Sequence, residues 1–125
     1  ERFGIAPLAE GGEEFEQSLF TNESNLILLI LAVGIIQPIF EEILFRGFLF
    51  KHLERKWGGV IAIICTSIVF SIIHFQYNLF VLGVILFPMA ILLGIARLKT
   101  KSVMTPIIIH CINNTITLVM TMQNQ

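Results

Sequence analysis

The sequence predicts an all-α integral membrane protein, a bundle of about four transmembrane helices with a polar site buried between them. Three observations carry that prediction. Hydrophobic residues make up 55% of the 125-residue chain and charged residues 14%, with a mean hydropathy of +0.84. A soluble domain carries about a quarter charged residues, so this surface is too apolar for water. The apolar residues are gathered into four runs of membrane-spanning length, and a few ionisable residues interrupt those runs, where charge is costly enough to need a purpose. The same composition excludes intrinsic disorder, and eight Lys and Arg against nine Glu exclude a nucleic-acid binder.

Residues 1–24 form an acidic, polar arm with six Glu and one Arg. Its start lacks the basic n-region of a signal peptide. Phe15, Leu19 and Phe20 allow a short amphipathic stretch at a membrane surface, although a flexible lead-in is the simpler reading. The membrane core is residues 25–125, which hold seven Lys and Arg against three Glu. Its first span covers residues 25–50 and is broken only by Glu41, Glu42 and Arg46. The second covers 60–77, the third 79–96 without a charge, and the fourth 106–122. Each approaches the roughly 20 residues that a helix needs to cross the hydrocarbon. Helix is favoured over strand because period-two alternation is absent and backbone groups in lipid must be paired within each segment. Pro38, Pro88 and Pro106 are tolerated in membrane helices as kinks or at an N-terminus.

The linkers set the expected topology. Residues 51–59 carry Lys51, Arg55 and Lys56, and residues 97–105 carry Arg97, Lys99 and Lys101. Basic loops stay in the cytoplasm, which puts the N-terminal arm and the uncharged turn around 76–78 outside, in a multi-pass arrangement. His52 reads as solvated, Trp57 as an interface anchor, and Cys65 and Cys111 as small buried apolar residues.

Charge inside a span costs about 2.5–3.5 kcal/mol on insertion scales, so Glu41, Glu42 and Arg46 call for partners. Glu42 and Arg46 are four apart and can pair on one face. Glu41 is rotated about 100° away and is expected to have no partner within its own helix. His74, near the end of the second span, and His110 with Asn114 on one face of the fourth are the available polar groups. Together they can enclose a wet pocket in which a carboxylate acts as general base and an imidazole and an amide meet an oxyanion. Each feature taken alone is as well explained by helix-packing polar contacts. Counting from the basic linkers puts Glu41 at about 15 Å, His74 at about 20 Å and His110 at about 8 Å, unequal depths that tilts or longer helices would reconcile.

Three motifs stand in order on these spans. Glu41-Glu42-Ile43-Leu44-Phe45-Arg46-Gly47 has the form EExxFRG, Phe70 to His74 the form FxxxH, and His110 to Asn114 the form HxxxN. In this combination residues 25–122 resemble the CPBP (Abi) family of intramembrane proteases, related to CAAX prenyl endoproteases and bacteriocin-processing enzymes. The resemblance implies more spans than the four counted here. It implies an endopeptidase in which Glu41 and His74 activate a water, His110 and Asn114 stabilise the oxyanion, and Glu42 and Arg46 support the architecture. It implies a peptide, prenylated or membrane-protein substrate. No cofactor is favoured; zinc is the alternative, with Glu41, His74 and His110 as its ligands and an open fourth position. Two other functions stay open on the residues alone. One is a catalytically silent membrane scaffold or immunity protein that binds a membrane-protein partner. The other is a proton or ion pathway.

Overall fold

A computed structural model describes residues 23–124, all of its regular structure helical. The acidic arm predicted for residues 1–24 lies, apart from its last two residues, outside the described residues. Among the described residues, four helices make the bundle. Helix α1 runs unbroken through Glu23–Leu29, Ile30–Ile36, Gln37–Glu42, Ile43–Leu49 and Phe50–Trp57. Helix α2 is Gly59–Ile73, α3 is Val81–Thr100 and α4 is Met104–Gln123. By length and composition α1, α3 and α4 can cross a membrane, whereas α2, with 15 residues and about 22 Å of rise, is shorter than the hydrocarbon layer.

Proline explains two local departures from α geometry. It has no N–H to give, and its ring collides with the carbonyl four residues back, so the preceding turn widens. Pro38 follows the π-helical Ile30–Ile36, and Pro88 follows the π-helical Val81–Leu86. A third π-helical stretch, Ile43–Leu49, carries Arg46 and has no proline. Between the first and third of these, Gln37–Glu42 is a single α-helical segment.

The two basic linkers are corrected by the structure. Residues 51–57 continue α1, because Lys51-His52-Leu53-Glu54-Arg55-Lys56 contains nothing that breaks a helix and places cations where the helix dipole favours them. The chain turns only at Gly58, whose φ of 88° and ψ of 167° suit glycine alone. Likewise α3 continues to Thr100, and only residues 101–103 separate it from α4, with Lys101 left-handed at φ 58°. Arg97, expected in a loop, is a buried residue of α3.

These longer helices remove the mismatch in depth. Glu41 precedes Trp57 by 16 residues and His74 follows Gly59 by 15, so both stand about 23 Å from the Gly58 turn. Val103 lies 3.8 Å from where a Cβ on Gly47 would stand, so α4 starts about ten residues, or about 15 Å, back along α1 from Trp57. From that start His110 reaches the level of Glu41 and Glu42.

Two small apolar clusters hold the helices together. Phe45, Phe70 and Ala90 join α1, α2 and α3, and Phe50, Ala62 and Ile63 join α1 and α2 nearer the Gly58 turn. Close approach depends on small residues, as membrane helix pairs generally do. Gly34 abuts Thr115 of α4, Gly94 abuts Ile63, and Ala62 and Ala90 are fully enclosed. Many large apolar side chains, Phe40, Phe48, Ile72 and Leu79 among them, face outward, as a lipid environment requires.

Candidate active site

The site is built on the α-helical segment Gln37–Glu42 and the π-helical stretch after it. Glu42 and Arg46 are both fully buried, with Arg46 Nη1 donating to Glu42 Oε1 at 3.0 Å. Arg46 Nη2 donates to the Ala90 carbonyl of α3 at 2.7 Å, and its guanidinium lies over the Phe70 ring at 5.1 Å. Arg97 of α3 returns the contact, its Nε donating to the Arg46 carbonyl at 3.0 Å while its guanidinium covers Phe50 at 5.5 Å. Charges buried this deeply persist only when paired and hydrogen-bonded, and this network ties α1, α2 and α3 through one side chain.

Glu42 also reaches α4. His110, 2% exposed, places Nδ1 at 2.8 Å from the same Glu42 Oε1. A carboxylate paired with Arg46 can only accept, so His110 Nδ1 is the donor. His74 is oriented in a comparable way, with Nδ1 at 2.7 Å from the Phe70 carbonyl. A carbonyl also only accepts, which puts the hydrogen on Nδ1 there too. Phe70 sits against both imidazoles, with centroids 4.6 Å from His74 and 5.9 Å from His110, and Tyr77 stacks on the outer side of His74 at 6.3 Å. The two rings are therefore fixed by their Nδ1 atoms and their faces, leaving both Nε2 atoms for the centre of the site.

Glu41 occupies that centre. Its Oε1 lies 3.8 Å from His74 Nε2 and its Oε2 lies 3.7 Å from His110 Nε2. Both separations are longer than a direct hydrogen bond and short enough for one water to bridge. With hydrogens on both Nδ1 atoms, the two Nε2 atoms and the Glu41 carboxylate face one another as acceptors, an arrangement that a hydrogen-bond donor or a cation between them would satisfy.

Glu41 does have a partner within its own helix, contrary to the expectation from sequence. Gln37, one turn earlier, donates Nε2 to Glu41 Oε1 at 2.8 Å. The signal was present, since Gln37 is the lone polar side chain between Asn25 and Glu41 and stands four residues before it. Arg97 carried no such signal, because a cation near the end of a span reads as a topology marker.

Asn114 is placed differently from the four-group convergence that the sequence allowed. Its Nδ2 donates to the Val33 carbonyl of α1 at 3.2 Å, within a row of α4-to-α1 contacts that includes Cys111 Sγ to Ile35 and Thr115 Oγ1 to Gly34. The π-helical stretch Ile30–Ile36 offers carbonyls there, and an amide facing them is drawn to them. Among the described residues, no group of three or more His, Cys, Asp or Glu is arranged to hold a metal ion. Beside Glu41 opens an apolar groove of about 450 Å³, lined by Phe40, Ile43, Leu44, Phe45, Phe48 and Ile73.

The family model described as type II CAAX prenyl endopeptidase Rce1-like matches residues 23–116, which contain all of the residues just described. A membrane-embedded CAAX protease, MroQ, of Staphylococcus aureus (strain USA300) is 31% identical over 111 residues, covering 78% of this chain and 44% of that protein. An uncharacterized 24.3 kDa protein of Escherichia coli is 29% identical over 107 residues, covering 82% of this chain and 49% of its own length. The chain thus spans less than half the length of these curated relatives. No solved structure matches it.

Proposed function

The chain belongs to the type II CAAX prenyl endopeptidase Rce1-like family, and from that premise we propose that it hydrolyses a peptide bond inside the bilayer with a water held by Glu41. The observation that carries the reading is the carboxylate of Glu41 set between two Nε2 atoms at 3.8 and 3.7 Å. Glu41 is the general base that takes the water's proton as the oxygen attacks the carbonyl carbon. His74, fixed through Nδ1, orients that water with its Nε2 lone pair. His110, held through Nδ1–H by Glu42, turns its Nε2 toward the developing oxyanion and stabilises it by donating an N–H there. Asn114 completes the oxyanion site once its amide is released from Val33. The proton held by Glu41 then passes to the leaving amine, and the peptide is cut. Glu42 and Arg46 keep His110 in place.

The apolar groove beside Glu41 suits an apolar part of the substrate, a prenyl chain or a hydrophobic peptide side chain, entering from the lipid. The basic end of the bundle, with Lys51, Arg55, Lys56, Lys99 and Lys101, faces the cytoplasm. The steps above are written without a metal; zinc held by Glu41, His74 and His110 is the alternative.

The test uses a farnesylated peptide ending in the CAAX sequence and its unfarnesylated counterpart, with the intact protein in lipid nanodiscs. Cleavage is expected, with Glu41→Gln lowering kcat by about a thousandfold, the scale of a general base. Cleavage by Glu41→Gln at the wild-type rate overturns the proposal. Activity is expected to survive a strong chelator; loss with chelator and return with zinc replaces the metal-free reading by one in which Glu41, His74 and His110 are ligands.

A further inference from the structure

Gln37 is an expensive residue to place where it stands. It is exposed on the outer surface of α1, in the run Val33-Gly34-Ile35-Ile36-Gln37-Pro38-Ile39-Phe40, where every other side chain is apolar or absent. A carboxamide facing hydrocarbon without partners costs several kcal/mol, so its hydrogen bonds decide what it is for. The one the structure gives it is short and aimed at the centre of the site, Nε2 to Glu41 Oε1 at 2.8 Å.

The local backbone makes this contact. Pro38 restores α geometry after the π-helical Ile30–Ile36, and Gln37–Glu42 is α-helical. In an α-helix residues four apart lie on one face, so Gln37 falls directly over Glu41. The bond also discriminates between the two carboxylate oxygens. Oε1 receives the Gln37 N–H and faces His74, while Oε2 faces His110. Fixing one oxygen fixes the plane of the carboxylate and so the direction of its remaining lone pairs. Among the described residues, the polar groups around Glu41 are Gln37 on its own helix, His74 from α2 and His110 from α4, with Glu42 and Arg46 behind His110.

We infer that Gln37 is a positioning residue for Glu41, holding its carboxylate in the orientation that carries the attacking water toward the scissile carbonyl. This inference rests on the hydrolytic role proposed for Glu41. A residue that only filled space would be replaced by leucine at no cost, and lipid would favour the leucine. A positioning residue acts on the chemical step and leaves substrate binding alone.

The experiment compares Gln37→Leu, Gln37→Glu and Gln37→His in nanodiscs with the farnesylated peptide. Leucine matches the size and removes the donor, glutamate keeps the shape and replaces the donor by an oxygen, and histidine keeps an N–H within reach of Glu41. Loss of one hydrogen bond to a charged group predicts a fall in kcat of about tenfold or more for Gln37→Leu, with KM within about twofold. Gln37→Glu is expected to be no better than Gln37→Leu, and Gln37→His to recover most of the rate. Unchanged kcat in Gln37→Leu, or equal losses in the leucine and histidine variants, overturns the inference. A second readout is independent of turnover. The infrared carboxylate band of Glu41, identified by its disappearance in Glu41→Gln, is expected to shift in Gln37→Leu and return in Gln37→His; a band that stays in place overturns the inference even if the protein cuts no peptide. An inactive Glu41→Gln with a fully active Gln37→Leu discards Gln37 alone, whereas an active Glu41→Gln discards the hydrolytic reading itself.

Discussion

Arg46 shows how much one side chain in this bundle is asked to do. It neutralises Glu42, caps the Ala90 carbonyl and presents its face to Phe70, all with no exposure to solvent. Lysine cannot copy that set, since a single ammonium does not reach both oxygens in the planar fork that guanidinium provides. Replacing Arg46 by Met leaves Glu42 buried and unpaired except for His110, and breaking a buried pair costs about 3–5 kcal/mol. Arg46→Met is therefore expected to lower the midpoint of denaturant unfolding in detergent strongly. The double variant Glu42→Gln with Arg46→Met removes the stranded charge and is expected to regain much of that stability. Peptide cleavage is not expected to return with it, because a glutamine does not hold His110 Nδ1 as a carboxylate does. Recovery of cleavage together with stability would assign Glu42 a role in folding alone.

At the scale of elements, the turn between α1 and α2 sets the site. Gly58 stands at φ 88° and ψ 167°, a region that a residue with a Cβ enters only at a cost of about 1–3 kcal/mol. Nothing crowds the position of a Cβ there, so the backbone angle and not a clash limits substitution. Gly58→Ala is expected to lower stability by that amount and, because Glu41 and His74 lie about 23 Å along two helices from this hinge, to lower activity as well. A thermal melt and a cleavage assay on the same sample check both. Gly59→Ala provides the contrast, since its Cβ would meet the side chain of Leu98 and the damage would come from displaced packing.

At the scale of the whole molecule, the site exists only where three helices meet, and α4 reaches α1 through small residues. A Cβ on Gly34 would stand 2.8 Å from Thr115 Oγ1 and 3.6 Å from its backbone. Alanine can be accommodated by turning the threonine hydroxyl; a larger side chain must push α4 away. Gly34→Leu is expected to part α4 from α1, cutting Asn114 from Val33 and drawing His110 from Glu41, and to lower cleavage more than Gly34→Ala in the same assay. Equal activity in the two variants would show that this seam does not position His110. The sequence by itself determined the class of environment, the helical segments, the pairing of Glu42 with Arg46 and the identity of the ionisable residues, because hydropathy, i,i+4 spacing and the cost of charge in lipid are all local quantities. It misjudged the linkers, since a basic segment without a helix breaker reads equally as loop or helix. Only the tertiary structure decided that Arg97 turns inward, that Asn114 is engaged by Val33, and that His74 and His110 share one depth. Each of those depends on the relative height and rotation of separate helices, which are fixed by the Gly58 turn and by contacts between residues far apart in the chain.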